Sequence, residues 1–237
     1  MDYYYDLHIH SCLSPCGDSD MTPYNLVNMA ALMGFDIIAL TDHNTAGNCR
    51  AAQKAGEAAG ITVVAGMELC TAEEVHMVCL FPDADSAEAF SAFVKTTLPP
   101  VKNKPHIFGN QYYMDEQDAI LGEEEILLLT ASSLTVSELP NRVAEYGGFC
   151  YPAHIDRDSY SILSNLGMID PSFGFRAVEI FDPQKTESLK VQHPILQQMK
   201  IFHSSDAHYL DKMQEPAHKI SLPENTPQAL LTYLQSL

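Results

Sequence analysis

The feature that most constrains this fold is a series of short apolar runs, each ending abruptly at a histidine or an acidic residue. Tyr3 to Ile9 leads into His10, Phe35 to Leu40 into Thr41-Asp42-His43-Asn44, and Ile61 to Met67 into Glu68. Later in the chain Phe149 to Ala153 ends at His154, Ala177 to Phe181 at Asp182, and Lys200 to Ser204 leads to Asp206-Ala207-His208. Continuous apolar runs of this kind suit strands buried on both faces, as in a parallel sheet. Helical stretches separate the first of them. Thr22-Pro23 reads as the cap and first turn of a helix that Gly34 ends, and Thr45 to Ala59 as a helix of small residues ended by Gly60. Strand, helix, strand, with the chemistry at the strand exits, predicts a βα architecture whose site lies at the C-terminal edge of its strands.

Val75 to Phe81 reads as a further strand carrying His76, and Ser86 to Leu98 as a helix. Between Pro99 and Gly148 the pattern blurs. Pro99-Pro100 and Lys104-Pro105 mark a loop, Tyr112 to Leu121 alternates weakly as a polar hairpin does, and Val136 to Tyr146 resumes as a helix. This stretch is too short to hold its own core, so we expect one domain over residues 1–237 with an embellishing region at about 99–148. Lys219 to Leu222 reads as a short strand and Pro227 to Leu237 as a final helix.

Charge bounds the partners. Lys and Arg number 13 against 31 Asp and Glu, a net charge of −18 across 237 residues, which repels long polyanions. Any nucleic acid that binds should be short or held through metal. No apolar run approaches the roughly 20 residues that span a bilayer, so a cytoplasmic protein without membrane contact is expected. The six cysteines form no C-x-x-C pair and are expected to be reduced and mostly buried. Cys12 and Cys16 are spaced like zinc ligands, but no matching second pair follows them.

Alternation along a strand puts His8 and His10 on one face, and Asp206 and His208 repeat that spacing with a carboxylate and an imidazole. His203 has the opposite parity to Asp206 and reads as a packing residue. His8, His10, His43, Glu68, His154, Asp206 and His208 therefore converge, and His76 and an acidic residue of the first loop can be added. This exceeds what one zinc can use, and it suits two or three divalent ions. Nitrogen and oxygen ligands without thiolate fit Zn, Fe or Mn alike.

Asp6-Leu7-His8-Ile9-His10-Ser11, Thr41-Asp42-His43-Asn44, Gly66-Met67-Glu68, Pro152-Ala153-His154 and Ser205-Asp206-Ala207-His208 resemble the successive motifs of the PHP family, the polymerase and histidinol phosphatase domains. The resemblance implies a distorted (βα)7 TIM-like barrel with a two- or three-metal cluster at the C-terminal ends of the strands. It implies hydrolysis of a phosphate ester by attack of metal-bound hydroxide. His8, His10, His43, Glu68, His76, His154, Asp206 and His208 become ligands, with Glu68 shared between ions. Counting back from Pro23 makes Asp18 the loop ligand, with Asp20 its rival. The implied grouping is His8, His10 and Asp206 around one ion, His76 and His154 around a second, and Asp18, His43 and His208 around a third. Glu68, His208 and Arg157 form the expected catalytic set. Arg157 serves as a phosphate clamp or else as a surface arginine paired with Asp156 or Asp158. Asn44, Asn110 and Gln111 read either as substrate contacts or as turn residues. The expected substrate is a small phosphorylated metabolite or nucleotide. An exonuclease and a non-catalytic metal-binding module stand as alternatives.

Overall fold

The computed structural model describes residues 1–237. Its first half runs β1 (Asp2–Ile9), α1 (Pro23–Met33), β2 (Ile37–Leu40), α2 (Cys49–Ala59), β3 (Thr62–Cys70), β4 (His76–Phe81) and α3 (Ala84–Lys95). A region with a single turn of helix, α4 (Pro105–Phe108), and a hairpin, β5 (Tyr112–Met114) with β6 (Ile120–Glu123), follows. The chain continues through α5 (Leu139–Glu145), β7 (Phe149–Pro152), α6 (Ile162–Leu166), β8 (Ala177–Glu179), α7 (Thr186–Gln192), β9 (Lys200–Phe202), β10 (Lys219–Ser221) and α8 (Pro227–Gln235). No helix is long and apolar enough to cross a membrane.

The expected punctuation is present. Thr22 caps α1 by accepting the Asn25 N–H, Pro23 fills the first helical position, and Gly34 and Gly60 end their helices in the left-handed region. α2 starts at Cys49 rather than Thr45. The Thr45 hydroxyl accepts the Gly47 N–H, which holds the preceding residues in a turn.

Six strands form a curled sheet in the order β10-β1-β2-β3-β4-β7. β1, β2 and β3 are parallel, as expected, but β4 and β7 run antiparallel to their neighbours and β10 runs antiparallel to β1. The reason for the first reversal is length. Only five residues separate Cys70 from His76, and a parallel crossover needs a dozen or more. The hairpin this forces has two consequences. It prolongs β3 through Glu68, which sits opposite Val78 inside a strand rather than at its exit. It also brings His76, the first residue of β4, to the edge where β1, β2 and β7 end. A separate parallel pair, β8 with β9, stands alongside.

The sheet is buried on both faces, which explains the unbroken apolar runs. One face puts Ile38, Leu40, Ala65, Met67 and Cys79 with the helices; the other puts Leu7, Ile37, Ala39, Val78 and Tyr151 with Leu230 and Leu234 of α8. Gly66 lies where β3 and β4 are tightest: a Cβ there would come 2.7 Å from the Cys79 carbonyl oxygen. Gly66→Ala should destabilise the fold by about 1–3 kcal/mol through forced backbone displacement. An unchanged denaturation midpoint would show that the sheet can widen there without cost.

Candidate metal centre

Glu68 is the hub. Its side chain is buried, and its two oxygens are surrounded by five imidazoles. Oε1 lies 2.9 Å from His76 Nδ1, 3.0 Å from His154 Nε2 and 3.3 Å from His8 Nε2; Oε2 lies 3.0 Å from His43 Nδ1 and 3.5 Å from His10 Nε2. Burial alone would raise the Glu68 pKa. The charges of His76 and His8 and hydrogen bonds from His154 and His43 outweigh it and hold the carboxyl well below its ordinary range.

The far side of three of the rings is tied to an acceptor. His8 Nδ1–H donates to Glu179 Oε1 at 2.9 Å. His10 Nδ1–H donates to the Ser14 hydroxyl at 3.0 Å, and that hydroxyl donates to Asp42 at 2.7 Å. His208 Nδ1–H donates to its neighbour's carbonyl, Asp206 O, at 3.0 Å. Each ring is thereby fixed in the tautomer that turns Nε2 inward, the arrangement usual for metal-binding histidines. His8 Nε2 and His10 Nε2 then face each other at 3.1 Å. Two inward lone pairs at that separation need a proton or a cation between them. Without a metal the proton goes to His8: burial disfavours it, but Glu179, Asp206 and Glu68 together raise that pKa well above its ordinary value.

Asp206 Oδ1 is buried without a hydrogen-bond partner, 3.2 Å from His10 Nε2 and 3.4 Å from His8 Nε2. His10, His43 and His208 form one group of mutually close ligand atoms, His8, His10, Glu68 and Asp206 a second, and His43, Glu68 and His76 a third. An orphaned buried carboxylate oxygen and converging imidazole nitrogens fit divalent cations. His154 and Asp206 have positive φ, at 27° and 48°. That is backbone strain of about 1–3 kcal/mol each, of a kind found at functional sites.

A model of the PHP domain family matches residues 6–157, well over half of the chain. The chain belongs to the PHP family. Over 79 residues it is 37% identical to a 5'-3' exoribonuclease of Haemophilus influenzae, covering 32% of this chain and 28% of that one. Over 98 residues it is 33% identical to a phosphoribosyl 1,2-cyclic phosphate 1,2-diphosphodiesterase of Eggerthella lenta, covering 39% and 36%. The chain thus spans about a third of the length of these two curated relatives. Among solved structures, the lesion-specific endonuclease EndoQ of Pyrococcus furiosus superposes with a TM-score of 0.72 at 16% identity, over 100% of this chain and 56% of that one.

In this PHP domain eight of the nine expected ligands meet at the sheet edge; Asp18 does not join them. Its Oδ1 accepts the Asp20 N–H at 2.8 Å, and Asp20 is exposed. In the same loop the exposed Cys16 stands beside His208 and His43. Desolvation pushes that thiol up, but the charges of His43 and His208 outweigh it and bring it down to about 6. Cys12 points into the core against Met114, and burial raises its thiol to about 12, so the two cysteines share no site.

Arg157 pairs with Asp206 Oδ2 at 2.9 Å, not with Asp156 or Asp158, and its guanidinium lies 4.4 Å over the Phe181 ring. Asn44 and Gln111 are structural. The first ties Leu128, Thr130 and Cys70 backbone together, and the second does so for Glu124, Ile126 and Leu128. His203 donates to Ile180 O or packs against His218, as a packing residue does.

Sequence reading missed the parts that Glu179, Ser14 and Asp42 play. For Glu179 a signal exists: it is the one charge within the apolar run Ala177-Val178-Glu179-Ile180-Phe181. Glu179→Gln keeps the shape but removes the charge behind His8. Metal affinity should fall about 10- to 100-fold, read by competition with a chromophoric chelator. Unchanged affinity would mean that His8 is not oriented through Glu179.

Proposed function

We propose that this chain is a metal-dependent phosphoesterase that removes the phosphate of a small metabolite or nucleotide. The observation that carries the reading is Glu68, both of whose oxygens are buried among imidazoles at one end of a cleft of about 130 Å³. His43, His76, His154, Arg157, Ser159, Tyr160, Asp206 and His208 complete its lining. When bound, divalent cations supply Lewis acidity toward phosphoryl oxygens and lower the pKa of water. His8, His10 and Asp206 would hold one ion and His76 and His154 a second, with Glu68 shared; His43 and His208 would hold a third.

The chain's own residues do the positioning. Glu179 and the Ser14–Asp42 relay accept the Nδ1 protons of His8 and His10, so that their Nε2 atoms face the centre as ligands. Arg157 is the one Lys or Arg side chain lining the cleft. Its stacking on Phe181 leaves guanidinium donors for phosphate oxygens. The cleft's small volume and the net charge of −18 favour a compact phosphate over a long polyanion.

A second reading, hydrolysis of short nucleic acid, is favoured by Tyr160. This exposed ring stacks on His76 at 4.7 Å beside the cleft and could receive a base. The names of the exoribonuclease and of the endonuclease point the same way, while that of the cyclic-phosphate diphosphodiesterase points to a small substrate. A metal-binding module without catalysis is disfavoured, because eight converging ligands are retained.

We also read the curl as part of a distorted (βα)7 barrel in one catalytic domain. The Ile155 N–H bonds Glu179 O on one side of the β8–β9 pair, and a parallel bridge joins Ile9 to Ala207 on the other. On this reading the 99–148 region shapes the approach to the site. The six free cysteines fit a reducing compartment, the cytoplasm.

The test is turnover of nucleoside monophosphates, sugar phosphates and labelled short RNA and DNA by protein loaded with Mn, Fe or Zn. Phosphate release from monoesters supports the first reading, and cleavage of oligonucleotides alone moves the assignment to the second. No turnover on any of them with any of the three metals defeats both. Arg157→Ala should lower kcat/KM by about 10- to 100-fold, the worth of a hydrogen bond to a charged group; Chelation should abolish turnover, and added metal restore it.

A further inference from the structure

We propose that Cys79 and Cys150 form a reversible disulfide across the β4–β7 ladder under peroxide, a redox staple between the two arms that carry His76 and His154. Neither cysteine is in a metal-ligand group.

The strand register sets the two thiols against each other. β4 and β7 run antiparallel with Cys79 directly opposite Cys150. The Ala153 N–H bonds His76 O at 3.0 Å, which fixes the phase of the ladder. Hydrogen-bonded and non-hydrogen-bonded positions alternate along such a pair. Val78–Tyr151 and Leu80–Phe149 therefore fall on bonded positions, and Met77–Pro152 and Cys79–Cys150 on the positions between them. Pro152 agrees with this phase, because it has no N–H and sits where none is needed. At a non-hydrogen-bonded position the Cα atoms stand about 4.5 Å apart with their side chains close. A disulfide bridges Cα separations of roughly 4.4–6.8 Å. Both side chains also point to the same face of the sheet, into the cluster that holds Phe81, Leu139 and Val143. In no other ladder does one cysteine stand opposite a second.

An oxidant has a way in. Cys150 lines a cavity of about 220 Å³ together with Gly148, Phe149, Gly174 and Arg176. Cys79 is fully buried, and its thiol donates to Met77 O at 3.6 Å. Cys150 is thus the thiol that a molecule as small as hydrogen peroxide meets first. Its sulfur attacks one peroxide oxygen, the O–O bond breaks, and a sulfenic acid and one water result. The Cys79 sulfur then attacks the Cys150 sulfur, forming the S–S bond and releasing the second water. Two thiols and one peroxide give one disulfide and two waters, and a dithiol reverses the reaction. In a reducing compartment such a bond is transient.

The position gives the bond its effect. It lies three residues beyond His76 and four before His154, the two rings that meet Glu68 Oε1 at 2.9 Å and 3.0 Å. It also closes a chain loop that contains the whole 99–148 region. Oxidation thus ties both arms and the bracing region together without consuming a ligand.

The experiment treats the folded full chain with hydrogen peroxide, blocks remaining thiols with iodoacetamide in denaturant, and maps the peptides by mass spectrometry. Wild type should yield peptides joined through Cys79 and Cys150, two hydrogens lighter than their sum and separated again by dithiothreitol. The thermal midpoint of the oxidised protein should rise by about 5 °C or more, as expected for closing a long loop, and return on reduction. C79S should give no joined peptide and hold Cys150 as a sulfenic acid that dimedone traps, and C150S should leave Cys79 free to alkylate. Wild type with both thiols alkylated after peroxide, or with Cys150 driven to the sulfinic acid beside a free Cys79, overturns the pairing. A joined peptide without a rise in midpoint overturns the staple.

Discussion

An ionised carboxylate cannot lie in a protein interior unless positive charge or strong donors surround it. The rest of this structure depends on how that demand is met at Glu68. Five histidines reach it from β1, β4 and the segments after β2 and β7, so the strands must end at one edge and in one register. The sheet's curl gathers those ends. Glu68 can be reached from both sides because the β3–β4 hairpin carries it inside a strand, with His76 on the returning arm.

A second ring of interactions decides what those histidines can do. An imidazole offers a lone pair only at the nitrogen that is not protonated, so each ring needs an acceptor on its outer side. Glu179 serves His8 and also accepts the His154 N–H at 3.1 Å, joining two ligands through one buried carboxylate. Ser14 serves His10, accepts the His43 N–H at 3.1 Å and donates to Asp42, so that one hydroxyl fixes two neighbouring ligands. Asp42 in turn accepts from the Ser11 N–H and hydroxyl, which ties the first loop to the end of β2.

The 99–148 region contributes from behind. Its hairpin bonds the first loop through Tyr112 N–H to Cys12 O, and Met114 N–H to Asn48 Oδ1, while Asn44 clamps the Leu128 and Thr130 carbonyls. These contacts fix the back of the loop that carries Ser14 and Cys16. The region therefore braces the centre, although it supplies none of the residues lining the cleft.

By itself the sequence determined the family and which side chains stand at the strand exits. Apolar runs ending at His10, His43, His154 and the Asp206–His208 pair must become buried strands with polar exits, because side-chain period and burial leave little choice. The helix caps at Thr22, Gly34 and Gly60 are local for the same reason. What only the tertiary structure decided is pairing across long separations. The direction of β4 follows from a short connection, but the meeting of His8 with Glu179 and of His10 with Ser14 and Asp42 depends on how the sheet curls. The same holds in the first loop. Counting back from Pro23 points to Asp18, but spacing cannot say that its Oδ1 turns to the Asp20 N–H instead. That was decided by two backbone hydrogen bonds and by the close approach that Gly17 allows, interactions with no period for a sequence pattern to display.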